Sequence, residues 1–206
     1  MTDSKRPAPV GEPIHEILSH RWSPRAFETR AVEPEKLRSL FEAARWAGSC
    51  ANAQPWFFIV APKSTEPENF QRALECLVEQ NQSWAKNAPV LAFSVARMNF
   101  EQGDKPNRHA FHDVGQAAAN LALEATNLGL QIHQMAGIDP EKVRRTFGVP
   151  EGYDVAAGMA IGYPGDPQSL PDALRQREAG PRQRKPLDSF VFSGSWGQTS
   201  PLVTKR

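Results

Sequence analysis

Residues 113–130 constrain the fold of this chain most, because their pattern indicates a helix that is apolar around most of its circumference. The polar residues recur every three or four positions and so share one narrow stripe of such a helix. They are Asp113, Gln116, Asn120, Glu124 and Asn127. A surface helix usually shows the reverse proportion, with an apolar stripe about 100° wide. We therefore expect this helix to lie at the centre of the fold.

The polar stripe needs hydrogen-bonding partners if it is buried. Two interpretations remain open, since the sequence does not identify those partners. The stripe faces another helix across a subunit interface, or the helix is an ordinary core helix of a monomer. In either case its many alanines let a neighbouring backbone approach closely, and Gly129 suits a left-handed stop after the last turn.

Composition narrows the class of protein. The chain has 206 residues, 40% of them hydrophobic and 23% charged, as expected of one globular domain. The net charge of +1 gives no electrostatic reason to expect nucleic acid or an anionic membrane surface as a partner. We find no apolar run as long as a bilayer span and no signal-peptide pattern at the N-terminus. Two cysteines make no disulfide framework, so we expect a reducing, cytoplasmic location.

Apolar runs alternate with helical patterns along the chain. Continuous apolar runs at 57–61, 89–96 and 155–163 are typical of buried strands. Pro34 and the Asp139-Pro140 pair mark helix starts. The alternation predicts an α/β (α+β) fold with a mixed central sheet flanked by helices. We expect a disordered lead-in at 1–12, one domain at 13–192 and an extended tail at 193–206.

Several common site motifs are missing. The chain has no G-x-G-x-x-G, no P-loop and no G-x-S-x-G. His109 and His112 lie three residues apart, but no second matching pair or carboxylate partner accompanies them, so we expect no metal site.

The short segment at residues 21–25 has side chains that suit the binding of an anion. Arg21, Ser23 and Arg25 would point to one side of an extended segment, which Pro24 favours. Arginine offers a planar fork of donors and serine offers a hydroxyl. The alternative is a solvated basic loop. Farther along, Asn52 and Gln54 lie in a small polar loop where they suit a ligand with a mixed polar edge.

These motifs together resemble the nitroreductase family of FMN-dependent flavoproteins. The resemblance rests on residues 21–27 (RWSPRAF) followed by Ser49 and residues 52–56 (NAQPW). The later chain agrees in order, through 84–89, the 113–130 helix, 137–139 (GID), 160–163 (AIGY) and 184–187 (RKPL). The resemblance covers about residues 13–192, which we therefore expect to be an FMN-binding domain.

The resemblance implies a three-layer fold and an intertwined homodimer with FMN at the subunit interface. It also implies hydride transfer from NADH or NADPH to FMN, and then to a nitroaromatic or quinone-type small molecule by a ping-pong mechanism. The implied cofactor-binding residues are Arg21, Trp22, Ser23, Arg25, Ser49, Cys50, Asn52, Gln54, Asn81, Gln134, Ala136, Gly137, Arg182 and Arg184. No side chain need act as a general base, because the cofactor carries the chemistry.

Individual roles follow from the resemblance. Arg21, Ser23 and Arg184 are expected on the phosphate, and Arg25 near N1 and O2 of the ring, where negative charge accumulates on reduction. Asn52 and Asn81 are expected on the pyrimidine edge or ribityl chain. Ser49 and Cys50 match positions near the phosphate of the partner's site, and Gln134 and Gly137 match positions beside the ring.

One departure and three alternatives remain. Ala136 stands where many family members carry a glutamate, so no carboxylate lies beside the ring at that point. The alternatives are another FMN reaction, such as reductive dehalogenation or enone reduction, a flavin-binding protein without turnover, and a structural dimer whose arginines bind nothing.

Overall fold

A four-stranded sheet forms the middle of the structure, a computed structural model that describes residues 6–204. The strands are β1 (Trp56–Pro62), β2 (Val90–Arg97), β3 (Gln131–Met135) and β4 (Tyr153–Gly162). Their order across the sheet is β1-β2-β4-β3. Every pair is antiparallel, with Phe93 opposite Ile59 on one side and Gly158 on the other.

Helices cover both faces of this sheet. They are α1 (Glu16–His20), α2 (Pro34–Arg45), α3 (Pro67–Glu75), α4 (Glu79–Ala85), α5 (Ala110–Asn127), α6 (Pro140–Phe147) and α7 (Asp172–Ala179). Successive residues of β2 point to opposite faces, as the pleat requires. Leu91 and Phe93 join a core with α3, α4 and α6, whereas Val90 and Ala92 join a second core with α2 and α5. The result is three layers, as expected.

The central helix is confirmed as α5, shifted by three residues from the predicted span. Two residues of its polar stripe, Asn120 and Glu124, have hydrogen-bond partners on α2 of the same chain. Ser39 Oγ donates to Glu124 Oε1 at 3.0 Å, and Asn120 Nδ2 donates to the carbonyl of Ala43 at 3.2 Å. Gly129 takes the expected left-handed conformation, with φ of 77°. Asn120 and Glu124 therefore find their partners within one subunit.

The α+β class is confirmed, and the strand directions correct one detail. We expected a mixed sheet, but the strand pairs within residues 6–204 are antiparallel throughout. The central strands of this sheet are buried on both faces, as parallel strands usually are. The continuous apolar runs in the sequence therefore predicted buried strands correctly. They could not show whether neighbouring strands are parallel or antiparallel.

The two ends of the chain differ from the expected conformations. Residues 1–5 of the predicted lead-in lie outside the described part, but Arg6 donates to the carbonyls of Glu178 and Gly180. The tail is not extended throughout. It pairs Phe192 with Thr199 across a turn and ends in a 3-10 turn, Pro201–Val203. No helix among residues 6–204 is long and apolar enough to cross a membrane.

Candidate functional site

The segment at residues 21–25, called here the arginine loop, is held in place by alternate side chains of β3. The backbone N–H of Trp22 donates to Gln131 Oε1 at 3.1 Å, and Gln131 Nε2 donates to the carbonyl of His20. Two residues along β3, His133 Nδ1 lies 2.8 Å from the carbonyl oxygen of Pro24. A carbonyl only accepts, so the imidazole carries its proton on Nδ1.

His133 is neutral, and its arginine neighbours favour that state. Burial lowers the pKa of His133 to about 4, and the charges of Arg25 and Arg21 act in the same direction. The ring also packs on Trp84 with centroids 4.6 Å apart. The imidazole therefore supports the arginine loop without adding positive charge to it at neutral pH.

The other support of the arginine loop comes from α7. Glu178 Oε1 accepts from the backbone N–H groups of Arg25 at 2.8 Å and Ala26 at 3.2 Å. Glu178 Oε2 lies 3.7 Å from Arg25 Nη1, and the glutamate side chain is only 1% exposed. Arg25 therefore has a buried carboxylate beside it, a partner that the sequence did not predict.

Four arginines converge beside this loop: Arg6, Arg21, Arg182 and Arg184, which we call the arginine cluster. Burial, and then the charge of Arg184, lower the pKa of Arg21. Burial also lowers the pKa of Arg182, with the charges of Arg21, Arg184 and Arg6 adding to the effect. None of the four forms an ion pair with a carboxylate among residues 6–204. The local positive charge is thus uncompensated, which favours an anion.

The members of the cluster differ in their backbone bonds. Arg182 donates to the carbonyls of Ser19 at 2.6 Å and Arg21 at 2.7 Å, so it clamps the chain together. Arg21 donates to Ser23 Oγ at 3.3 Å. Within residues 6–204, the guanidinium of the exposed Arg184 donates only to the neighbouring Gln183 carbonyl. Arg21, Ser23 and Arg184 therefore keep donors for a ligand.

Trp22 underlies this cluster. Its ring is 8% exposed, and the Arg6 guanidinium lies over it, 5.2 Å from the centroid. The indole Nε1 is buried and has no hydrogen-bond partner in the described structure. Trp22 is thus a buried side chain on which the arginine cluster packs through Arg6.

The loop at residues 49–54 has a strained backbone. Ala51, Asn52 and Gln54 all have positive φ, at 52°, 54° and 46°. Left-handed backbone in residues other than glycine costs about 1–3 kcal/mol each and persists only where the surroundings enforce it. Here Asp113 Oδ2 accepts from the backbone N–H of Cys50 at 3.0 Å, and Ser49 Oγ accepts from that of Gln54 at 3.1 Å. The side chains of Asn52 and Gln54 remain exposed.

Asn81 and Gly137 lie side by side where α4 meets the end of β3. Asn81 Nδ2 donates to the Gly137 carbonyl at 3.0 Å, and the N–H of Val78 donates to the same oxygen at 3.1 Å. A Cβ at position 137 would lie 2.6 Å from Asn81 Nδ2 and 2.8 Å from Val78 Cγ2. A larger residue there would therefore require the side chains of Asn81 and Val78 to move. Gln134 and Ala136 are exposed next to it.

The structure brings some of the predicted residues together within one chain and leaves others apart. The arginine loop and the Asn81–Gly137 pair adjoin through β3, since His133 contacts Pro24 on one side and Trp84 of α4 on the other. The loop at residues 49–54 lies against the N-terminal end of α5. Among residues 6–204, no hydrogen bond joins it to the other two groups.

The supports missed by sequence reasoning are Gln131, His133 and Glu178. The first two alternate along a strand and so point to one side, a signal that was present in the sequence. The arrangement as a whole offers cationic donors for a phosphate-like anion and, along β3, amide and backbone groups for a flat polar molecule. No group of three or more metal-ligating side chains occurs within the described chain.

Comparison with known proteins finds a matching family model and similar solved structures. The model of the Nitroreductase family matches residues 18–163. A crystal structure of an oxidoreductase containing FMN is 38% identical, with a TM-score of 0.88 over 97% of this chain and 100% of that chain.

Two further similarities lie at lower identity. An FMN-dependent nitroreductase from Clostridium difficile is 26% identical, with a TM-score of 0.63, over 73% of this chain and 87% of that chain. An NADH dehydrogenase from Thermus thermophilus is 28% identical to this chain. The alignment covers 84% of this chain and 91% of the relative.

Proposed function

The chain belongs to the nitroreductase family, and we propose that it is an FMN-dependent oxidoreductase that passes a hydride from NADH or NADPH to nitroaromatic or quinone-type acceptors by a ping-pong mechanism. The observation that carries this proposal is the arginine cluster. The charges of Arg21, Arg184 and Arg6 act on Arg182, and none of the four arginines forms an ion pair with a carboxylate among residues 6–204. The phosphate of FMN, with nearly two negative charges, supplies the compensation that such a cluster needs.

The residues present fit the cofactor along its length. Arg21, Ser23 and Arg184 would hold the phosphate, because their donors are not consumed by the fold. Arg25 would lie near N1 and O2 of the ring, and the amides of Asn81 and Gln134 near its polar edge. When bound, FMN supplies the hydride chemistry, and the protein binds and orients it. Nothing in this arrangement requires a side chain as general base.

We further propose that the working unit is a homodimer with FMN at the subunit interface. The strained loop at residues 49–54 presents Asn52 to solvent, and among residues 6–204 no hydrogen bond joins this loop to the other site groups. In a dimer it would complete the site of the partner. One face of α5 supports this arrangement, because Phe111, Gly115 and Ala119 lie exposed on it.

The C-terminal arm, residues 185–204, supports the same arrangement. Trp196 is 94% exposed and Leu202 is 93% exposed. All hydrogen bonds of the arm that involve described residues stay within the arm. Large apolar side chains presented in this way are typical of an interaction surface. We propose that the arm packs on the second copy.

Anaerobic reduction tests the proposed activity. Protein reconstituted with FMN should lose its yellow colour on addition of NADH or NADPH, and a quinone or nitroaromatic added afterwards should restore it. A flavin-binding protein without turnover would keep its colour. The matched control is Arg38→Ala, which removes an exposed arginine of α2 that pairs with Glu35 and should behave as wild type.

A further inference from the structure

The carboxylate of Glu178 is buried against the arginine that we place beside the flavin ring. Its Oε1 is consumed by the backbone N–H groups of Arg25 and Ala26. Its Oε2 is buried, has no hydrogen-bond partner in the described structure, and lies 3.7 Å from Arg25 Nη1. The two oxygens therefore have different tasks, since one anchors the backbone and the other faces a cation.

The geometry makes Arg25 the counter-charge of this carboxylate. A buried carboxylate is strongly unfavourable unless an opposite charge is close. Arg25 Nη1 is the cation within ion-pair distance of Glu178 among residues 6–204. The Arg25 side chain is 27% exposed, so its guanidinium faces the buried carboxylate and also has an open side. The positive potential on that open side is reduced by the negative charge behind it.

We propose that Glu178 is a positioning residue that sets the redox preference of the bound flavin, by fixing the arginine loop and by partly neutralising Arg25. This inference rests on the proposed function, since it needs FMN beside Arg25. Reduced flavin carries negative charge that a fixed cation stabilises. Glu178 would weaken that stabilisation and so keep the flavin a stronger reductant.

Glu178→Gln separates the two tasks of the carboxylate. Glutamine has nearly the same shape, and its carbonyl oxygen still accepts from the N–H groups of Arg25 and Ala26, but the charge is gone. The affinity for oxidised FMN should stay within about threefold of wild type. The preference for reduced over oxidised FMN should rise about tenfold, which is about +30 mV for a two-electron couple. Spectroelectrochemistry on the reconstituted protein measures this shift.

Two further variants complete the experiment. Asp172→Asn removes an exposed carboxylate from the same helix, where it pairs with Arg175, and should leave the potential unchanged. Glu178→Ala removes the anchor as well, so it should weaken FMN affinity at least tenfold and lower the melting temperature.

The outcomes distinguish this inference from the proposed function. A purely structural role of Glu178 predicts an unchanged potential in Glu178→Gln, and that result, or a negative shift, would overturn the inference while leaving the FMN assignment intact. A wild-type protein that binds no FMN would overturn both.

Discussion

Asp113 in the first turn of α5 accepts a 3.0 Å hydrogen bond from the backbone N–H of Cys50. This bond ties the central helix to the strained loop at residues 49–54. The carboxylate is 2% exposed and its other oxygen lies 3.2 Å from His112 Nδ1. The Asp113 side chain thus links α5, which the sequence predicted clearly, to an irregular loop that the sequence did not predict in detail.

Replacing Asp113 should therefore destabilise the protein through this loop. A hydrogen bond to a charged group contributes about 1.5–3 kcal/mol, so Asp113→Ala should lower the free energy of unfolding by about that amount. Urea denaturation measures it, with Asp172→Ala on the exposed face of α7 as the control. A loss no greater than that of the control would show that the loop does not depend on Asp113.

His133 should make stability depend on pH. Its pKa is about 4 in the folded protein and 6.5 ordinarily, so the unfolded chain takes up the proton first as pH falls. Stability is therefore lost as pH falls through 6.5 towards 4. Between pH 7 and pH 5 the loss should be about 2 kcal/mol. His133→Asn keeps a donor for the Pro24 carbonyl but does not titrate, so its urea midpoints at the two pH values should differ by less than those of wild type. An equal pH dependence in the two proteins would contradict the assignment.

Arg25 and Arg184 should separate redox tuning from affinity. Arg25→Ala should lower the reduction potential of the flavin more than it lowers FMN affinity, because we propose that Arg25 lies beside the part of the ring that gains negative charge on reduction. Arg184→Ala should do the opposite, since the phosphate charge does not change with redox state. Each loss corresponds to about 1.5–3 kcal/mol. Spectroelectrochemistry measures the potential of both variants, and flavin titration measures their FMN affinity. Equal shifts in potential in the two variants would show that the assigned roles are wrong.

The exposed face of α5 identifies the residue that tests dimerisation. Ala118 and Ala122 lie in the core shared with α2, at 3% and 2% exposure, whereas Ala119 is exposed. Ala119→Glu should leave the subunit folded but dissociate the proposed dimer and weaken FMN binding, since in our proposal only the assembled state presents the full site. Ala118→Glu should instead reduce folding itself, because it buries an unpaired charge. Sedimentation and flavin titration decide between these outcomes, and a folded Ala119→Glu monomer with wild-type FMN affinity would refute the shared site.

Periodic burial explains which elements the sequence could predict. The apolar helix α5 and the strands β2 and β4 were found because most of their side chains are buried in a regular pattern. Local capping was equally informative, since Asp139 accepts from the N–H of Lys142 and Gly148 takes a φ of 67° at the end of α6. Both signals depend on neighbours within a few residues.

The missed parts of the site lack such signals. The helix α7 buries only Glu178, so it shows no apolar stripe, and its importance comes from a residue 153 positions earlier in the chain. The difference between Arg21 and Arg182 likewise becomes visible only in three dimensions, because the guanidinium of Arg182 donates to the backbone carbonyls of Ser19 and Arg21. Donors consumed by long-range contacts cannot be recognised from residue type and spacing.

Titration of the apoprotein with FMN and with riboflavin tests the central claim most directly, because the two molecules differ only in the phosphate. Contacts from Arg21 and Arg184 at about 1.5–3 kcal/mol each should make FMN bind at least about 100-fold more tightly than riboflavin. The difference should largely disappear in the Arg21→Ala, Arg184→Ala double variant, whereas Arg38→Ala should retain it. Equal affinities of wild type for FMN and riboflavin, or no binding of either, would contradict the account.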